Sequence, residues 1–486
     1  MGTTREQSDL TRRSFLGRGA ATTLGIALAG SLEPLAGAAG VEREGRSRFA
    51  GHRDDGYGPL VDDPDGRIAL PEAFSYTVVA QSGVTMLDDG VHRTPSSPDG
   101  TASFVRRGGN GSVLVNNHEI RGLGPLTHGV PKDDPRLVYD PGPGANAGTT
   151  NIVVDKDGDR VREYVSLAGT HTNCAGGKTP WQTWLTCEET DLVPVAGNGL
   201  TRRHGYVFEV DPYRRKANRD PHPIKALGRF EHEALAVDPE TWQIYETEDA
   251  NAPHGMFYRW TPPSRALPLE RRSLRALDDD AGTLEALSAS TAGGAHVPDL
   301  CVAVEPGTTY DVKWVEVPDR DATTVRIRQQ FTDAQVTRSR KLEGAWWGRG
   351  GAYFVASFAR QSDGSAVVHD GQVWFYDPLA HTIELKLRFA RAGAANSTSP
   401  DGPDNITVSP YGGVILAEDG GGKQHLIGST GPLNTYFLAR NDLPGDGEFT
   451  GPNFSRNKKV LFANVFNPGH VFAITGPWRK DHDDRD

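Results

Sequence analysis

The chain has 486 residues, 37% of them hydrophobic and 24% charged, the make-up of a soluble globular protein. Its net charge of −11 argues against nucleic acid or an anionic membrane as the main partner, and fits a protein that gathers carboxylates to hold cations. Three cysteines, Cys174, Cys187 and Cys301, are too few for a disulfide scaffold, and their odd number leaves at least one thiol unpaired within the chain. The length allows two or three ordinary domains or one large all-β domain.

At the N-terminus, "TRRSFLGRGA" carries the pair Arg12-Arg13 followed by Phe15-Leu16. A mildly apolar stretch, "AATTLGIALAG", comes next, and Ala36-Gly37-Ala38 offers a small-x-small cleavage site. The pattern predicts a twin-arginine signal peptide over residues 1–38. Its apolar run is too short for a stable membrane span. A chain handled by the twin-arginine machinery is exported folded, to the periplasm or beyond the cell. Residues 39–69 are polar and irregular, and read as a leader onto the body.

From Leu70 to the end the pattern is short β runs punctuated by turns, consistent with one domain over 70–486. "GSVLVNNHE", "TTNIVVDKDGD", "GAYFVASFA" and "NTYFLAR" are examples, rich in Val, Ile, Phe and Tyr. "FEVDP", "LAVDP" and "WFYDP" form a loose repeat, each an apolar strand closed by a turn. Repeated hairpins over about 400 residues predict an all-β fold of β-propeller type; an array of sandwiches or barrels gives similar strings. Residues Pro268 to Ser290 have the best helical spacing, and predict a short helical insertion.

The chemistry concentrates in "HTNCAGGKTPWQTWLTCEET", residues 171–190. Strand alternation puts Cys187 and Glu189 on one face and Glu188 on the other, so one glutamate of the pair can serve a given site. Cys174 precedes the strand in a glycine-rich turn, where a thiolate suits a metal. A Cys174–Cys187 disulfide and an inert buried Cys174 are the alternatives. "NNHEIRG" ends a strand with His118 and Glu119, a common place for site residues. "RFEHEALAVDP" places Glu231 and Glu233 on one strand face, and "YETEDA" places Glu246 and Glu248 likewise, where a carboxylate is costly unless paired or metal-bound. "RKLEGAWWGRGG" carries Lys341 and Glu343, and "PDNITVSPYGGVILAEDGGG" carries Asp404, Glu418 and Asp419. Such oxygen donors suit calcium, and with no EF-hand loop any site is assembled from distant segments. The tryptophans Trp181, Trp184, Trp346 and Trp347 read as core. No G-x-S-x-G elbow or P-loop is present.

"NNHE", "NCAGGKTPWQTWLTCEE", "HEALAVDP", "TED", "EGAWW", "PDNITVSPYGG" and "NPGHVFAITGPW" together resemble the PhoX family of alkaline phosphatases, from about Leu70 to the end. The resemblance implies a six-bladed propeller with a cluster of iron (Fe3+) and calcium at one mouth of its channel, acting on phosphomonoesters. It maps the family's thiolate ligand onto Cys174 and carboxylate ligands onto Glu189, Glu343 and Glu233, with Glu248 as rival to Glu233. Glu119, Asp404, Glu418 and Asp419 follow as calcium ligands or supporting carboxylates. The family's phosphate-gripping arginine falls at Lys341, and the polar residue near the oxyanion at Asn151. Lys is a compact charge where Arg is a planar fork, which keeps two other readings open. One is a calcium-dependent propeller hydrolase of lactones or phosphotriesters, the other a non-catalytic calcium-binding secreted propeller. A monomer is expected.

Overall fold

A computed structural model describes residues 56–391, 398–432 and 434–478. The expected signal peptide, residues 1–38, lies outside the described residues. Among the described residues there is no α-helix, only strands and short 3-10 turns. No helix there is long and apolar enough to cross a membrane.

The strands form six antiparallel meanders, the blades of a propeller. Blade 1 comprises Pro98–Val105, Ser112–His118, Ala147–Val154 and Arg160–Thr170. Blade 2 has Asn173–Lys178, Trp184–Glu188 and Val207–Val210. Blade 3 has His232–Val237, Ile244–Glu248, Phe257–Thr261 and Thr283–Ser290. Blade 4 has Leu342–Gly348, Gly351–Ala356, Gly371–Asp377 and Thr382–Phe389. Blade 5 has Pro403–Val408, Val414–Glu418, His425–Gly431 and Asn434–Asn441. Blade 6 takes Phe449–Phe454, Val460–Val465 and His470–Thr475 from the end of the chain and Ser75–Gln81 from its beginning. The first strand of each blade touches the first strand of the next, and the sixth returns to the first, so these strands ring a central axis.

Blades 3 and 4 are joined at their outer edges. The strand Thr309–Glu316 pairs with Thr283–Ser290 on one side and Thr382–Phe389 on the other, making one continuous sheet. Leu60–Val61 and Ile68–Pro71 extend blade 5.

The core lies in the layers between blades, where strands buried on both faces read as apolar runs. Trp374, Phe354, Phe257 and Tyr245 pack between blades 3 and 4, and Trp184, Phe104 and Phe208 between blades 1 and 2. Trp184 and Trp181 are buried, as expected of core residues, while Trp346 and Trp347 are packed at the edges of core clusters. The helix expected over Pro268 to Ser290 is corrected: Leu274–Ala276 is a 3-10 turn and Thr283–Ser290 a strand. Leu284, Ala286, Leu287 and Ala289 are buried while Thr283, Glu285, Ser288 and Ser290 are less so, largely a period of two that pairing with Phe257–Thr261 selects over helical spacing.

One irregularity recurs in all six blades. Near the start of each inner strand the register with its neighbour slips by one residue: between Pro98 and Thr101, Asn173 and Gly176, His232 and Leu235, Leu342 and Ala345, Pro403 and Ile406, and Thr450 and Asn453. A β-bulge re-aims the side chains it contains. The bulged pairs in the first five blades are Asp99-Gly100, Cys174-Ala175, Glu233-Ala234, Glu343-Gly344 and Asp404-Asn405. Each begins with an acid or a thiol, and four of the five continue with Gly or Ala. Close packing between neighbouring bulges explains the small second residue. A Cβ on Gly100 would stand 2.4 Å from Ala175 Cα, and one on Gly344 2.7 Å from the Asp404 carbonyl oxygen. Gly100→Ala is expected to destabilise the protein by about 1–3 kcal/mol, because backbone rather than a flexible side chain must move; a thermal melt checks this.

Candidate metal centre

The bulges bring one donor from each of five blades to the same end of the axis. A second set comes from the residues just after the second strands: Glu119, Glu189, Asp249 and Asp419. Six of these residues, with Glu448, make three groups, in each of which the ligand atoms lie within 4.8 Å of one another. The first is Cys174, Glu189 and Glu233. The second is Glu233, Glu343 and Asp404. The third is Asp404, Asp419 and Glu448. Glu233 and Asp404 are each shared by two groups, so the three are linked in series. The first two groups are buried; Asp419 and Glu448 in the third are partly exposed.

Backbone clamps hold the bulges in place. Asn117, next to last in its strand, donates its amide to the carbonyls of Cys174 (2.9 Å) and Ala175 (2.8 Å). It accepts in turn from Trp184 Nε1 (2.9 Å) and Thr186 Oγ1 (2.9 Å). Thr247 Oγ1 donates to the Glu343 carbonyl (2.6 Å), and the Asn464 amide donates to that of Asp99. Each clamp is the next-to-last residue of a second strand and reaches the donor of the following blade. In blade 6 the bulged pair is Gly451-Pro452, which offers no ligating side chain.

The paired glutamates diverge. Glu188 accepts from the backbone N–H groups of His171 (3.0 Å) and Gly205 (2.9 Å) and meets His204 Nδ1 at 2.6 Å. Glu189 turns to the acidic groups, where Arg121 Nη2 sits 2.6 Å from its Oε2 and 2.7 Å from Glu119 Oε1. Lys341 Nζ lies 2.8 Å from Glu343 Oε1 and 3.2 Å from Asp249 Oδ2. Arg340 points elsewhere, to Ser365 Oγ (2.8 Å) and Asp299 (3.3 Å).

Of the residues singled out from the sequence, Cys174, Glu189, Glu233, Glu343, Asp404 and Asp419 come together, with Lys341 against Glu343 and Glu119 against Arg121. Three lie outside the groups. Glu248 is buried with Arg328 (3.0 Å) and accepts from the Tyr258 hydroxyl (2.6 Å). Glu418 accepts from the Asp401 backbone N–H (2.8 Å) and meets His425 Nδ1 at 2.7 Å; burial pushes its carboxyl up to about 8. Asn151 sits mid-strand and donates to the Pro212 carbonyl (3.0 Å). All three cysteines are free and buried, so the disulfide alternative is absent. Asp99 and Glu448 were missed. Both sit in stretches, "SPDGT" and "PGDGEF", that read as turns. The signal was available in the repeat of an acid or thiol heading a β run: "PDG", "NCA", "HEA", "LEG" and "PDN".

The electrostatics favour a cation. Burial, and then the neighbouring Glu233 and Glu189 carboxylates, push the Cys174 thiol well above its usual range. Burial, and then Glu119, do the same to the Asp99 carboxyl. Like charges this close in a buried site repel strongly. A bound cation reverses that penalty, and thiolate and carboxylate are the donor types cations take. The residues present therefore fit metal ions.

Fold and site define a class: all-β propellers with a cluster of cation-type donors at one end of the axis. Within it the sequence profile described as alkaline phosphatase PhoX matches residues 55–161 and 134–469. The chain belongs to the alkaline phosphatase PhoX family, a family of metal-dependent phosphoric monoester hydrolases. No curated protein matches it by sequence. Among solved structures it is similar to Pseudomonas fluorescens PhoX in complex with vanadate, a transition state analogue, at 18% identity and a TM-score of 0.64, covering 87% of this chain and 98% of that one. A gluconolactonase from Xanthomonas campestris follows at 12% identity and a TM-score of 0.38, covering 86% and 98%. The first likeness gives the propeller fold.

Proposed function

We propose that the protein is an exported phosphatase that hydrolyses phosphomonoesters with an iron–calcium cluster held by Cys174, Glu189, Glu233, Glu343, Asp404, Asp419 and Glu448. The observation that carries this reading is the series of three donor groups linked through Glu233 and Asp404. Family membership and the vanadate complex of a related propeller support it. In this reading residues 1–38 are a twin-arginine signal, and the propeller acts as a single domain and a monomer outside the cytoplasm; the 39–69 segment expected to be irregular is corrected at its end, where Leu60–Val61 and Ile68–Pro71 join blade 5.

Donor chemistry divides the groups. A thiolate beside carboxylates suits a transition metal such as iron, whereas the partly exposed all-carboxylate group suits calcium. Bound there, the metals supply Lewis-acid polarisation of the phosphoryl oxygens and activation of water. The protein's own residues do the rest. The inner-strand bulges and the clamps from Asn117, Thr247 and Asn464 fix the donors, so little reorganisation accompanies the reaction. Lys341 balances negative charge beside Glu343. Glu119 orients Arg121 at the edge of the site.

The direct test is elemental analysis of the folded protein together with p-nitrophenyl phosphate hydrolysis. Iron and calcium are expected with activity, and a metal-loaded protein without phosphomonoesterase activity would sink the reading. A pH effect follows from Cys174. Its raised thiol stays protonated in the metal-free protein at neutral pH, whereas ligation requires thiolate. Metal binding should therefore release a proton and tighten as pH rises. Calorimetry in buffers of different ionisation enthalpy measures that release.

A further inference from the structure

Lys341, the cation beside Glu343, is committed to carboxylates. Its Nζ lies between Glu343 and Asp249 and 5.3 Å from the centre of the Phe358 ring. It is a point charge beside the acidic groups, and lacks the planar fork that grips two oxygens of a phosphoryl group. Arg340 is drawn off by Asp299 and Ser365. Another blade brings a guanidinium to the site edge.

Arg121 follows the second strand of blade 1, three residues past His118. Its neighbour Ile120 is fully buried and accepts a hydrogen bond from the Thr172 N–H, just before the first strand of blade 2, which pins the segment beside the Cys174 bulge. The Arg121 side chain is 51% exposed, yet its Nη2 is held between Glu119 and Glu189. Glu189 is a donor of the first group, so the guanidinium stands one carboxylate away from it. The same side chain lines a cavity of about 430 Å³ with Leu123, Asn146, His171, Asn198 and Leu200. Exposure, an oriented fork, contact with a donor of the cluster and an adjoining cavity meet in this one residue.

We infer that Arg121 binds the phosphoryl oxygens of the substrate, supplying from blade 1 the forked grip that Lys341 cannot, and that the cavity beside it receives the organic part of the ester. The inference rests on the phosphatase reading. Glu119 then acts as a positioning residue that aims the fork.

The test uses the metal-loaded protein and its Arg121→Lys and Arg121→Gln variants. Inorganic phosphate binding is followed by calorimetry, metal content by elemental analysis, and p-nitrophenyl phosphate hydrolysis by KM and kcat. A role limited to balancing Glu119 and Glu189 is rescued by lysine; a forked grip is not. Arg121→Lys should keep its metals while its phosphate Kd and KM both rise about tenfold or more, with a smaller change in kcat. The Gln variant should lose at least as much phosphate affinity. Wild-type phosphate affinity in Arg121→Lys, or loss of its metals, overturns the inference while an active wild-type protein leaves the phosphatase reading standing. A metal-loaded wild-type protein with no activity removes both.

Discussion

Glu233→Gln is expected to strip the cluster more completely than any other single change, because Glu233 belongs to the Cys174–Glu189 group and to the Glu343–Asp404 group together. Removing a shared donor opens two neighbouring cation positions. With several kcal/mol of transition-state stabilisation attributed to metals in such sites, activity should fall about a thousandfold or more. Elemental analysis and p-nitrophenyl phosphate hydrolysis read the two effects. Glu248→Gln is the internal comparison. That residue serves Arg328 and Tyr258, so its loss should lower the melting temperature and spare the metals. If Glu233→Gln kept full metal content while Glu248→Gln lost it, the assignment of the shared donor would be reversed.

Cys174→Ser is expected to have the next largest effect, and a selective one. The hydroxyl is nearly isosteric but does not supply a thiolate, so the first group should lose its transition metal and any visible absorbance arising from sulfur ligation. The third group, Asp404, Asp419 and Glu448, contains no sulfur and should keep calcium. Activity should fall about a hundredfold or more, since even the partners that orient metal ligands are worth about 10–100-fold. A thermal melt within a few degrees of wild type, measured with elemental analysis, separates metal loss from unfolding. Full iron content and activity in Cys174→Ser would remove the sulfur from the proposed cluster.

Much of this was legible in the residues because strand periodicity and donor chemistry are both local signals. "HEALAV" announces a buried strand with a carboxylate too costly to leave alone, and "NCAGG" announces a thiol beside close backbone packing. Alternation along "LTCEE" correctly separates Glu188 from Glu189, since one faces His204 and the other the acidic groups. What stayed hidden depends on the partner strand. A bulge is a mismatch between two strands, so "PDGTASF" reads as a turn until Ser112–His118 is seen beside it, and Asp99 passes unnoticed. The Asn117, Thr247 and Asn464 clamps cross between blades, and no single stretch reveals which carbonyl each reaches. The helical spacing of "LEAL" lost to sheet pairing for the same non-local reason, while "LRAL" forms only a 3-10 turn.

Blade 6 is completed by Ser75–Gln81 pairing with His470–Thr475, with Ser75 and Thr475 side by side. A chain emerging from the ribosome thus makes Ser75–Gln81 early, and that strand's edge stays open until its partner His470–Thr475 has been synthesised. Donors spread over five blades, with Glu448 directly before the first strand of the sixth, cannot all converge earlier. Assembly of the complete donor set therefore reports that the circle of blades has closed.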